Sequence, residues 1–434
     1  MMYQFKLAVR SLFFRKSQYR SLFLVCMFGV AVSLTAIFVS KGMIDAMNMK
    51  ARIYYGGNFA IMEVVLGEGL EMHDFMDTYE KVRSVFPPEA DVSYRLDFDG
   101  RKGSFFFEGT QALQQTIKGC DFELERNLFE QMKFVSGGFS DMKGTNGVLI
   151  SKPIAEMLNI GVGDVMTFML ETVSDEINTV DVEVKGIFQD SSVFGMYTSY
   201  MDFAFLRAAY QRPDDFANRI VVNFPGKELG EREALFYQGE LEKVLPMYRL
   251  VDDKNEFIDR QDGDAVMFAL IPLSANLTDV SVMEKAMDVV IFFIILVLVV
   301  IIVAGIGSTY RILVIKRLNE IGIYMAIGMN KKDISLTLLF ETLLLLVLGC
   351  AAACALSGVF CFIVSRFDFS FIPSFDIFLI KGNLSPSVDV VLSVAVIVAV
   401  IASTLLAVFY SAWKSIKVLP VKALAAVEGK YGSM

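Results

Sequence analysis

Histidine is almost missing from this chain: among 434 residues there is one, His73, in an acidic stretch that reads as exposed surface. A zinc enzyme or a histidine-based triad therefore has almost nothing to build on. Charge is also thin, at 21% of residues, against 54% hydrophobic residues and a mean hydropathy of +0.51. A soluble core cannot absorb that much apolar content and still leave a polar surface, so the composition argues for membrane spans. It excludes a disordered chain and a small disulfide scaffold. The five cysteines, Cys26, Cys120, Cys350, Cys354 and Cys361, form no Cys-x-x-Cys, and four of them fall in apolar runs. No disulfide framework is expected outside the membrane. No G-x-x-x-x-G-K-[ST] occurs, so the chain is expected neither to bind nor to hydrolyse ATP. A net charge of −9 speaks against a nucleic-acid partner.

What is present is four uncharged runs, each near the 20 or so residues that cross a bilayer. They are Leu22 to Ser40, Val289 to Tyr310, Thr342 to Ser365 with its helix opening near residue 335, and Val390 to Trp413. The first is too long for a signal-peptide core and lacks a cleavage site before Lys41, so it reads as an uncleaved anchor. Basic residues concentrate on one side: Lys6, Arg10, Arg15, Lys16 and Arg20; Arg311, Lys316, Arg317, Lys331 and Lys332; Lys414, Lys417, Lys422 and Lys430; the loop 366–389 has two basic residues and three acidic ones. The positive-inside rule makes that side cytoplasmic, with both termini in. The expected layout is a cytoplasmic segment 1–21, spans at 22–40, 289–310, 335–365 and 390–413, an outer domain 41–288, a cytoplasmic loop 311–334, an outer loop 366–389 and a tail 414–434.

The outer segment 41–288 carries 24 basic and 42 acidic residues, a net charge of −18. It reads as α+β. Strands are expected at Phe59 to Leu66, Val148 to Ile150, Val165 to Leu170, Val180 to Phe188 and Tyr248 to Val251. Val92 to Phe98 and Ser104 to Glu108 flank Asp99-Gly100 as a hairpin. A short helix is expected with Ser151 as cap, Pro153 in its first turn and Gly161 ending it; Glu228 to Leu245 is a second. Met43, Met47, Lys50, Ala51 and Tyr54 keep helical spacing past span one, and Val282 to Asp288 is helix-compatible before span two. Both spans are thus expected to extend outward as a stalk.

On the cytoplasmic side, Phe5, Val9, Leu12 and Phe13 lie on one helical stripe with the basic residues largely off it. That is an interfacial amphipathic helix, or alternatively a partner-binding one. Small-x-x-x-small pairs, Gly29/Ser33, Ala304/Ser308, Ala351/Ala355 and Ala353/Ser357, allow close helix approach within or between chains. Glu341 sits at the mouth of span three, either as a functional intramembrane acid or solvated or paired with a loop Arg or Lys. In the loop 311–334, Leu318, Ile321 and Met325 form one stripe and Arg317, Glu320 and Tyr324 another. Gly328 is suited to end that helix, and Asn330 with Asp333 to start the next. So short a loop cannot be an enzyme domain, but another protein could grip it.

Arg317-x-x-Glu320-Ile321-Gly322, Ala326-Ile327-Gly328, Ile334 and Glu341 resemble the cytoplasmic loop of FtsX-like permeases of the MacB superfamily of ABC transporters. Val418 to Leu424 resembles the family's ending, with Leu419 and Lys422 replacing its acids. Asn146 to Phe168 and Val182 to Phe188 are similar to the MacB-type periplasmic core. The span pattern is nearest the lipoprotein-releasing LolC/LolE type and the free-standing MacB type. The resemblance implies a four-span permease in the bacterial inner membrane, dimeric as a homo- or heterodimer, engaging two cytoplasmic ABC ATPase subunits that use ATP and Mg. It gives Arg317, Glu320, Ile321, Gly322 and Gly328 the role of coupling to that ATPase. It implies mechanotransmission to the outer domain, for export or release of a lipoprotein or amphipathic substrate, with a periplasmic adaptor among the possible partners. Two other readings stay open: a regulator of an extracytoplasmic cell-wall hydrolase, and a membrane-anchored receptor or scaffold.

Overall fold

Long uninterrupted apolar runs give long helices. The computed structural model describes residues 9–11, 14, 16–64, 72, 74–99, 103–258, 267–372 and 375–416. Four helices are long and apolar enough to cross a membrane: Lys16–Tyr55, Thr278–Lys316, Lys331–Val364 and Val390–Ile416. The chain divides into two units. One comprises Met1–Gly42, Ala286–Arg366 and Pro386–Met434; the other comprises Met43–Lys285 and Phe367–Ser385. The helix of span one runs on through Met43, Met47, Lys50, Ala51 and Tyr54, and that of span two takes in Val282 to Asp288.

In the first unit the helices meet at small residues. A Cβ on Gly29 would lie 2.5 Å from Ile302, and one on Gly349 2.9 Å from the Cys26 sulfur. Gly29 therefore lets span one lie against span two within one chain. Ala353 and Ser357 are also buried, whereas Ala304, Ser308, Ala351 and Ala355 remain exposed. Cys26 and Cys350 are both buried with free thiols.

The second unit is built on one sheet of twelve strands: β1 (Phe59–Val64), β2 (Asp91–Asp99), β3 (Gly103–Phe107), β4 (Thr110–Leu113), β5 (Thr116–Cys120), β6 (Phe134–Gly137), β7 (Gly147–Ser151), β8 (Val165–Glu171), β9 (Ile177–Phe188), β10 (Thr198–Asp202), β11 (Arg219–Asn223) and β12 (Met267–Pro272). Their order is β12-β1-β11-β2-β5-β10-β7-β9-β8-β3-β4, with β6 on β9. Only β5/β10 and β7/β9 among the described pairs are parallel. The unit is thus a β-rich α+β domain between spans one and two.

Several local expectations are corrected. The strands on either side of Asp99-Gly100 exist, but they do not form a hairpin. β2 pairs with β11 and β5, and β3 with β4 and β8. Ser151 occupies its N-cap position, yet its hydroxyl donates to the Met196 carbonyl at 2.5 Å rather than capping the Lys152–Leu158 helix. Asn159, in a left-handed conformation, ends that helix before Gly161 is reached. The later helix is Glu231–Leu241, shorter than its apolar pattern suggested because Gly230 and Glu233 fix its start. Tyr248 to Val251 is no strand; its neighbour Met247 makes a single bridge to Phe268.

The alternation of β2 explains where span one's helix ends. Val92 and Leu96 enter the main core, and Ser93, Arg95 and Asp97 point to the other face. That face buries the helix end. Fully buried Arg95 donates to the carbonyls of Ile53 (3.0 Å) and Tyr54 (2.9 Å), two of the orphan acceptors of the last turn. Its Nε donates to Glu125 at 2.9 Å, and Ser93 donates to the same carboxylate at 3.1 Å. Gly56, at φ 96°, then turns the chain out of the helix. Beside this pair, Lys118 and Arg219 each lie 2.9 Å from Asp97, and the Lys118 ammonium stands 4.0 Å from the centre of the Tyr54 ring.

Burial opposes the charge on Asp97, but Arg219, Lys118 and Arg95 overcome it and hold its carboxyl at about 2, below its ordinary 3.8. Between those two values the unfolded chain binds a proton that the folded chain refuses. Stability from this site is therefore complete above pH 4 and lost as the pH falls through 2, by about 2 kcal/mol. The stability gap between wild type and Asp97→Asn, followed by circular dichroism in detergent, is expected to narrow by that amount from pH 5 to pH 2. A gap that stays constant with pH would refute the assignment.

The segment 367–385, read from sequence as part of a simple outer loop, is built into the second unit. Asp376 is buried and accepts from the Ser191 hydroxyl (2.7 Å), the Ser191 amide (3.1 Å) and Gln189 (3.1 Å). Ile377 packs with Met47, Ala51, Phe194 and Leu277.

Candidate functional site

The helix of span two stops at Lys316. Arg317, at φ −101° and ψ 4°, breaks it, and a second helix, Leu318–Ala326, follows at once. Gly328, at φ 94°, ends that helix: its amide bonds the Met325 carbonyl, and the Met329 amide bonds Tyr324. This is the left-handed stop that a glycine supplies without strain. Asn330 takes the N-cap position of the Lys331–Val364 helix, although its side chain makes no capping bond.

The break turns Arg317 inward. Its guanidinium is 5% exposed and forks onto Glu341, itself 1% exposed, with Nη2 3.2 Å from Oε1 and Nη1 on Oε2. Tyr19, from span one's helix, donates to the same carboxylate at 2.6 Å and accepts from Arg317 at 2.7 Å. Ser11 accepts from Arg317 at 3.0 Å, and Glu320 lies 3.4 Å away. Of the two sequence readings of Glu341, pairing with a loop arginine is the one observed. The hollow beside the cluster holds about 10 Å³, no more than a single water needs, so no substrate enters it. The cluster ties together the same ends of spans one, two and three.

The residues singled out from sequence divide sharply. Arg317, Ile321 and Gly322 are buried, Glu320 is partly buried, and only Gly328 is exposed. Tyr324 and Met325 are half-buried, so both predicted stripes have buried members. The exposed face is a third one, missed in the sequence: Ile323 is 51% exposed and Ile327 77%. Val9 is helical and half-buried. Phe5, Leu12, Phe13, His73 and the Val418–Leu424 ending lie outside the described residues.

Residues 292–420 match the FtsX-like permease C-terminal family. The chain carries an FtsX-like permease domain. That domain takes in spans two to four, the broken helix at Arg317 and Glu341. The match begins at residue 292, so span one and all twelve strands of the sheet stand outside it, whereas residues 367–385 of the second unit fall within it. No curated protein matches the chain. Together with the four apolar helices, three of which reach into the match, this supports a membrane protein and a permease subunit of an ABC transporter.

Proposed function

We propose that this chain is the permease subunit of an ABC transporter and that the Leu318–Ala326 helix receives a separate cytoplasmic ATPase. The observation that carries the reading is a short helix fixed from behind by Arg317, Glu341 and Tyr19, with two large aliphatic side chains, Ile323 and Ile327, left bare at its end. A rigid element with exposed apolar anchors is what a mechanical coupling needs. On this reading Arg317, Ile321 and Gly322 position the helix, and the contact falls on Ile323, Ile327 and Gly328. Two ATPase subunits serve a dimer of permeases in the bacterial inner membrane, both termini facing the cytoplasm. Closure of the ATPase pair shifts the helices Lys16–Tyr55 and Thr278–Lys316, each continuous across a unit boundary. The substrate class is an envelope lipoprotein or other amphipathic molecule.

The test is affinity purification of the full chain, with partners identified by mass spectrometry. An ABC ATPase is expected with the wild type, and Ile323→Asp/Ile327→Asp is expected to lower its recovery about tenfold or more while the chain stays folded. Equal recovery would remove this face from the interface, and no ATPase with either protein would sink the transporter reading.

A further inference from the structure

Between the third and fourth spans lies a groove of about 490 Å³, lined by Leu336, Leu339, Phe340, Leu343, Ala402, Leu405, Leu406 and Phe409. All eight are apolar, and the size falls within the range of about 300–1,000 Å³ typical of small-molecule sites. The spacing of the Lys331–Val364 helix continues this stripe to one further residue. Lys332 stands one turn before Leu336, on the same helical face, and is exposed. The Val390–Ile416 helix runs the opposite way, so its matching position, one turn after Phe409, is residue 413, followed by Lys414. The apolar groove therefore opens, at its membrane-surface end, beside Lys332.

We infer that the groove holds one acyl chain of an anionic phospholipid, with Lys332 at its headgroup. The site differs from ordinary lipid contact in two respects. It is concave and formed by two helices, and it has positive charge at the end where a headgroup sits, where a lysine near the surface favours anionic lipid. A zwitterionic lipid fits the groove equally well but gains nothing from the lysine.

The experiment uses the full chain, reconstituted in vesicles with brominated acyl chains. Trp413 is the sole tryptophan, so Trp413→Phe/Phe409→Trp moves the reporter into the groove. Leu405→Trp replaces it should that variant fail to fold. Trp413→Phe/Ile312→Trp reports ordinary lipid contact, Ile312 being 57% exposed near the same end of span two. Brominated phosphatidylglycerol is expected to quench the groove reporter with about fivefold preference over brominated phosphatidylcholine. The Ile312→Trp reporter is expected near unity, and Lys332→Glu is expected to bring the groove reporter to unity as well. Equal ratios for the two reporters would reduce the site to ordinary lipid contact. A groove reporter that neither lipid quenches would show that protein, such as a second copy of the chain, covers it. A preference that survives Lys332→Glu would overturn the headgroup assignment.

Discussion

Arg317→Met is expected to destabilise the membrane unit by about 3–5 kcal/mol, because it leaves the Glu341 carboxylate buried without its counter-charge. Tyr19 remains as one hydrogen-bond donor and does not neutralise the charge. The double variant Arg317→Met/Glu341→Met is expected to recover most of the loss, since removing both charges also removes the cost of keeping them out of water. Detergent unfolding titrations, read by helicity, measure both. A single variant as stable as wild type, or a double variant no better than the single, would contradict the buried pair. If the proposed coupling holds, the same comparison separates positioning from contact: the double variant is then expected to retain ATPase binding, because Ile323 and Ile327 are untouched.

Arg95→Leu should have an effect of similar size in the second unit, about 3–5 kcal/mol. It strands the Glu125 carboxylate, which is 1% exposed, and takes the donors from the carbonyls of Ile53 and Tyr54. Amide exchange around residues 53–58 is expected to rise before the rest of the sheet opens, a local signature that mere loss of packing elsewhere would not give. Lys81→Ala supplies the contrast. Its partner Asp77 and Lys81 itself are well exposed, and such pairs contribute less than about 1 kcal/mol. Similar losses for the two variants would show that burial does not set the strength of the Arg95 pair.

The spans and the helical stalk ends were legible in the sequence, because each is a local pattern, whereas for Glu341 the sequence left an intramembrane role, solvation and pairing with a loop Arg or Lys all open. Tyr19 was not legible, since nothing in a helical apolar run marks one hydroxyl as the third member of a cluster closed by residues near 317 and 341. Arg95 was hidden by its own strand. In DVSYRLDFD the alternation gives one apolar and one polar face, and the polar face reads as solvent. In fact that face buries the end of span one's helix. The Asp99-Gly100 turn failed as a hairpin because turn chemistry fixes a change of direction, whereas strand pairing was decided by β11 and β5. The Leu318–Ala326 helix and its glycine stop were legible, but the exposed face was not. Arg317 and Ile321 are buried, Glu320, Tyr324 and Met325 are half-buried, and Ile323 and Ile327 stay outside.

The strand order has a consequence for biogenesis. β1 is made early, yet its sheet partners are β11 and β12, separated from it by most of the domain sequence. Such long-range pairing is slow and leaves strand edges open until the last partner arrives. The sheet cannot close until residue 272 has emerged, just before span two is synthesised. Residues 367–385, which supply Asp376 and Ile377, follow only after the third span. Completion of the second unit by residues 367–385 thus follows synthesis of the third span, and a chain truncated before residue 367 is left with Ser191 and Gln189 lacking Asp376 as acceptor.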